Sequence, residues 1–109
     1  MRKNPISKIM QKAAVATGNG TAIDCSEYAT AGVQIVGITS ATVTWEVSND
    51  DGTTWVGILG APTTTGTGAL TATANGIYII DVSGIQWLRA RISTWVSGTI
   101  TVTAFLKEA

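Results

Sequence analysis

The chain has 109 residues, 45% of them hydrophobic and only 13% charged, with seven Lys or Arg balanced by seven Asp or Glu and no histidine. That length fits one domain able to bury a real core, and zero net charge leaves no global field to draw it onto nucleic acid or an anionic membrane. The absence of histidine removes the usual general base and the commonest metal ligand, and the single cysteine, Cys25, excludes an internal disulfide.

In chain order, the first twelve residues carry Arg2, Lys3, Lys8 and Lys12, and no acid occurs before Asp24. We read residues 1–12 as a short basic N-terminal arm and residues 13–109 as the folded domain. The arm has no apolar stretch of signal-peptide length, so no leader is expected, and no run approaches the length of a membrane span. Lys12 to Thr17 reads as a first strand, Gly18-Asn-Gly20 as a turn, and Thr21 to Cys25 as a short strand. Val33 to Ile38 is apolar enough for a central strand. Thr42 to Ser48 alternates cleanly, with Val43, Trp45 and Val47 facing inward.

Asn49-Asp-Asp-Gly52 then reverses the chain. The surrounding Ser48-Asn-Asp-Asp-Gly-Thr-Thr-Trp55 matches the S-x-D-x-G-x-T-W hairpin known as the Asp-box, in which an Asp tethers the turn and a Trp packs beneath it. It occurs once, so it marks turn chemistry and not a propeller. Asp50 and Asp51 lack the calcium-loop spacing and its bidentate Glu, so no metal site is assigned. Thr53 to Leu59 is the returning strand and Gly60 to Gly68 a Gly/Thr loop. Ala69 to Thr73, Tyr78 to Val82, Trp87 to Ser93 and Thr99 to Lys107 complete eight or nine strands, the last ones separated by Ser-Gly turns. No segment sustains a helical period. The fold expected is all-β, a single antiparallel β-sandwich or jelly-roll-like domain.

In the last two strands Leu88, Ala90, Ile92 and Ile100, Val102, Ala104, Leu106 face inward. Trp87, Arg89, Arg91 and Phe105 then share the outer face, a composition typical of protein contacts. Trp87 and Trp95 are also candidate aromatic platforms for a glycan. No catalytic residue, metal ligand or cofactor site is assigned: there is no phosphate-binding loop, and Glu46 and Asp81 are not singled out as an acid pair.

The hairpin Ser48 to Trp55, the loop Gly60 to Gly68, the stretch Gly76 to Gly84 (G-x-Y-x-x-D-V-S-G), the alternating Arg89 and Arg91, and Ser97 to Thr103 (S-G-T-x-T-V-T) together resemble a group of small β-sandwich virion proteins of tailed phages and prophages. The resemblance covers roughly Val33 to Lys107, and the second Asp of the hairpin departs from its pattern. It implies a non-enzymatic structural protein of the phage particle, made in the host cytoplasm. The role it implies first is a capsid decoration, or cement, protein that bridges major capsid protein subunits as a homo-oligomer, with a trimer favoured. On that reading Arg2, Lys3, Lys8 and Lys12 dock on the capsid and Trp87, Arg89, Arg91 and Phe105 form the subunit interface. The alternative is a carbohydrate-binding or adaptor module of a tail, baseplate or head fibre, using Trp87 or Trp95.

Overall fold

The computed structural model describes residues 4–108 and is all-β among them. The strands are β1 (Ile6–Ala14), β2 (Ile23–Asp24), β3 (Thr30–Ser48), β4 (Val56–Gly57), β5 (Ala61–Pro62), β6 (Thr71–Ala72), β7 (Gly76–Asp81) and β8 (Trp87–Lys107). All pairings are antiparallel. The order β1-β8-β3-β7-β5 forms the main path, with β2 on β8 and with β4 and β6 on β3.

The frame is the pair β3–β8, which runs from Thr30 opposite Lys107 to Ser48 opposite Trp87. Inward residues keep one parity along each strand: Ala31, Val33, Ile35, Ala41, Val43, Trp45 and Val47 on β3, and Leu88, Ala90, Ile92, Ile100, Val102, Ala104 and Leu106 on β8. A flat ribbon of this length could not bury that single face. It folds over instead, at a cluster of register shifts between Val36 and Val43. Gly37 and Gly98 sit there with φ of 89° and 121°. A Cβ on Gly37 would stand 1.8 Å from the Thr99 carbonyl oxygen, and one on Gly98 would stand 2.5 Å from the Gly37 oxygen. Only glycine fits either place.

The first layer therefore holds β1, the end of β8, the start of β3, β7 and β5. The second holds β2, the start of β8, the end of β3, β4 and β6. Trp45 of the second layer meets Tyr78 of the first with ring centroids 5.3 Å apart. The short molecular extent of 22 Å suits two stacked sheets. Gly60 closes one side of the core, where a Cβ would come within 2.6 Å of Trp45 Nε1.

Three expectations change. Segments 33–38 and 42–48 are one strand, as are 87–93 and 99–107. Ser83-Gly84 does reverse the chain, but Ser97-Gly98 only bends it, because Gly98 pairs with Ile38 inside a continuous ladder. The N-terminal segment is not a free arm from residue 6 onward. Ile6–Ala14 is strand β1, held to β8 from Ile6–Leu106 to Ala14–Ile100. The periodicity is hidden because a register shift between Ile9 and Gln11 turns the consecutive Met10 and Gln11 both inward. Met10 joins the core, and the Gln11 amide donates to the carbonyls of Ala90 (2.9 Å) and Gly18 (3.1 Å), tying the first layer to the second. Arg2 and Lys3 lie outside the described residues.

Candidate interaction surfaces

The fold-over decides which candidate residues meet. Arg89 and Arg91 stand on the outside of the second layer and Phe105 on the outside of the first, so the expected common face of Trp87, Arg89, Arg91 and Phe105 does not exist. The two halves of β8 share parity, but their outward normals oppose one another across the core. Trp87, Arg89 and Arg91 do remain on one layer.

On that second-layer face the charges are already paired. Glu46 lies opposite Arg89 in the ladder. Its Oε1 accepts from Arg89 Nη2 at 2.8 Å and Nε at 2.9 Å, and its Oε2 accepts from Arg91 Nε at 3.2 Å. The Arg89 guanidinium also lies 4.0 Å from the Trp55 ring centroid, a cation–π contact. Beside it, the Thr44 and Ser93 hydroxyls bond across the strands at 2.8 Å. The face is a braced, half-buried network in which Arg91 is the more exposed cation, at 37% side-chain exposure against 15% for Arg89.

The Asp-box hairpin packs as its sequence specifies. Asp50 Oδ1 accepts from the Ser48 hydroxyl and the Thr54 amide, both at 2.8 Å. Those donors hold the Asp50 carboxyl below the ordinary carboxylate value, the Thr54 N–H contributing most. Trp55 Nε1 donates to the Gly52 carbonyl at 3.0 Å. The additional Asp51 has its own task. At φ 58° it latches the hairpin to the turn after β7, its N–H donating to Gln86 Oε1 (3.0 Å) and its carboxylate accepting from Gln86 Nε2 (2.6 Å). Asn49 completes the latch with Gly84 and Gln86. A cleft of about 440 Å³ opens beside it. No group of three or more His, Cys, Asp or Glu side chains placed to hold a metal occurs among the described residues.

Trp87 and Trp95 are both half-buried and stand eight residues apart on β8, about 26 Å along an extended strand, so they do not form one platform. Trp95 packs on the core margin at the fold-over and donates its indole N–H to the Gly98 carbonyl at 3.1 Å. Trp87 Nε1 is buried with no hydrogen-bond partner among the described residues. Lys8 and Lys12 are exposed on the edge strand β1.

The first-layer outer face was not legible as a site. Phe105, Ile77, Ile79 and Ile9 stand 43–50% exposed on it. In register, Ser7, Phe105, Gly32 and Ile79 form one row across β1, β8, β3 and β7. Gly32 and Gln34 line a groove of about 440 Å³ whose walls include Phe105 and Ile79. Gly76–Asp81 hides this face in the sequence, because inward Tyr78 and Ile80 alternate with outward residues that are apolar too.

No family model and no curated protein sequence matches the chain. Two solved structures share its fold. The SPBc2 prophage-derived protein YomS superposes with a TM-score of 0.87 at 18% identity, over 94% of this chain and 92% of that one. The PBSX exported protein XepA superposes with a TM-score of 0.89 at 18% identity; 94% of this chain is covered, but it spans only 37% of XepA. At such identity these matches establish the architecture, an antiparallel β-sandwich found in two prophage-encoded proteins.

Proposed function

We propose that this chain is a non-enzymatic structural protein of a tailed-phage particle, and that it decorates the assembled capsid by bridging neighbouring subunits. The observation that carries this reading is the exposed apolar first-layer face, on a small domain whose outward Glu46, Arg89 and Arg91 are paired with one another on the opposite layer. Apolar patches of this size on small domains are often functional. The shared fold with two prophage-encoded proteins supports a phage setting. Decoration would work by avidity, because many weak contacts repeated over a lattice bind tightly together. Lys8 and Lys12, exposed on β1, would meet the capsid's acidic groups.

The test is cosedimentation of the purified protein with undecorated capsids. Deleting residues 1–12 is unsuitable, because it removes Met10 and Gln11 from the core. The informative variant is Lys8→Glu/Lys12→Glu, which leaves the ladder intact. Saturable binding weakened by that variant supports decoration through β1, and no binding by the wild-type chain refutes decoration. A second reading, a phage-encoded protein acting outside the particle, is favoured by the description of XepA as exported. Quantifying the protein in purified particles against the culture medium separates the two.

A further inference from the structure

The first-layer face contains a glycine that the subunit itself does not require. Gly32 lies mid-strand between Val33 and Ala31, with φ outside the left-handed region. A Cβ built on it would meet only the Ile79 Cδ1 atom, at an ordinary 3.7 Å. Glycine inside a strand costs stability and marks a place where something else approaches closely. Here the missing side chain is what opens the groove between Phe105 and Ile79. Phe105 stands beside Gly32 on the neighbouring strand and is 47% exposed, a knob next to a hole.

We propose that this face binds a second copy of the same chain through a two-fold axis parallel to the strands, between β3 and β8. That axis places Phe105 of each copy over Gly32 of the other. It also matches the charges. Asp81, Thr30 and Lys107 form one row across β7, β3 and β8. The same rotation sets Lys107 of one copy over Thr30 of the other, offset sideways from its Asp81 by one strand spacing (about 4.8 Å); with the facing sheets about 10 Å apart the backbones stand about 11 Å from each other, a gap that a lysine and an aspartate side chain together span. Each copy contributes both members, so two Lys107–Asp81 pairs form, as an isologous interface demands. The remaining outward residues of the face near the axis are neutral, including Gln34, Ile77 and Thr103. Four strands and about six residues of length give roughly 400 Å² per copy, about half of a standard stable interface. The pair is therefore weak in dilute solution and suited to repetition on a larger assembly. This inference does not depend on the capsid reading.

Sedimentation velocity from micromolar to millimolar concentration tests it. The wild-type chain is expected to shift toward twice the monomer mass. Gly32→Val fills the hole without touching charge, and Phe105→Glu removes the knob; both should stay monomeric, with circular dichroism showing intact sheet. Lys107→Glu should weaken association about tenfold, and Asp81→Lys/Lys107→Glu should restore it. A wild-type chain that remains monomeric, or assembles as a trimer or other odd ring, overturns the proposal. So does undiminished association in folded Gly32→Val, or a double charge swap no better than Lys107→Glu alone.

Discussion

If the fold-over at Gly37 and Gly98 creates the two layers, three glycine-to-alanine changes should separate into three classes. Gly18 has no left-handed φ and no atom within 4 Å of a built Cβ. Gly18→Ala should be neutral or stabilising by about 0.5 kcal/mol, through reduced freedom of the unfolded chain. Gly66 has open space but φ of 73°. Gly66→Ala should cost only the left-handed strain, about 1 kcal/mol. Gly37 has both a φ of 89° and the Thr99 oxygen at 1.8 Å. A carbon and an oxygen approach normally to about 3.3 Å, so Thr99 must retreat by about 1.5 Å. That movement pulls apart the ladder between β3 and β8 at its bend, leaving backbone groups unpaired at about 1–3 kcal/mol each, on top of strain of similar size. The expected loss is about 4 kcal/mol or more, comparable with the whole stability of many small domains. Urea unfolding followed by tryptophan fluorescence, with a common slope, gives the three values. Gly37→Ala landing within about 1 kcal/mol of Gly66→Ala would refute the assignment of the bend to that close approach.

The other expectations are briefer. Asp50 and Asp81 are both held below their ordinary carboxyl value of 3.8, by hydrogen bonds led by the N–H groups of Thr54 and Ser83. A depressed folded value stabilises above the unfolded pKa and is lost as pH falls through the folded one. The Tm advantage of wild type over Asp50→Asn/Asp81→Asn should thus be full at neutral pH and shrink well below 3.8; an advantage independent of pH counts against it. Burial, with the Asp24 charge second, pushes the Cys25 thiol up to about 12, so a disulfide reagent should label it only in denaturant. Rapid labelling of native protein would contradict that burial. Gln11→Ala should cost about 1–3 kcal/mol and raise amide exchange along β1, since the buried Ala90 carbonyl loses its Gln11 donor while the Gly18 carbonyl keeps only the Ile92 N–H. For Glu46 and Arg89, a double-mutant cycle to alanine should return a coupling of about 1–3 kcal/mol; additivity would show the pair to be ornamental to stability.

What could be read from the sequence was local. The Asp-box hairpin, the inward parity of β3 and β8, and the Ser83-Gly84 turn each depend on residues close together in the chain. The bend did not show, because Gly37 and Gly98 look like turn formers; only their close approach across the register shift between Val36 and Ile38, 61 residues apart in number, makes them a crease in a continuous ladder. The first strand was masked by charge and by the register shift that turns Met10 and Gln11 both inward. Glu46 had a usable signal, since its outward parity matches that of Arg89 and Arg91, but pairing it with them needs the register Glu46–Arg89. Asp51, which departs from the hairpin pattern, makes sense only beside Gln86.

The same bend that was hidden also gives the molecule two dissimilar outer faces. Without it, Arg89 and Phe105 would lie on one side of a long ribbon and compete for a single partner. With it they look in opposite directions, one face stiffened by Glu46, Trp55 and paired hydroxyls, the other left apolar around Gly32. Two faces separated by a rigid core can be occupied at once, and their contributions should add, because sites without shared partners couple little. A bridging role needs that independence more than it needs a strong contact on either side. On the proposed reading, Phe105→Glu should abolish self-association yet leave the Glu46–Arg89 coupling unchanged, and a change in that coupling would mean that the two layers do not act as separate surfaces.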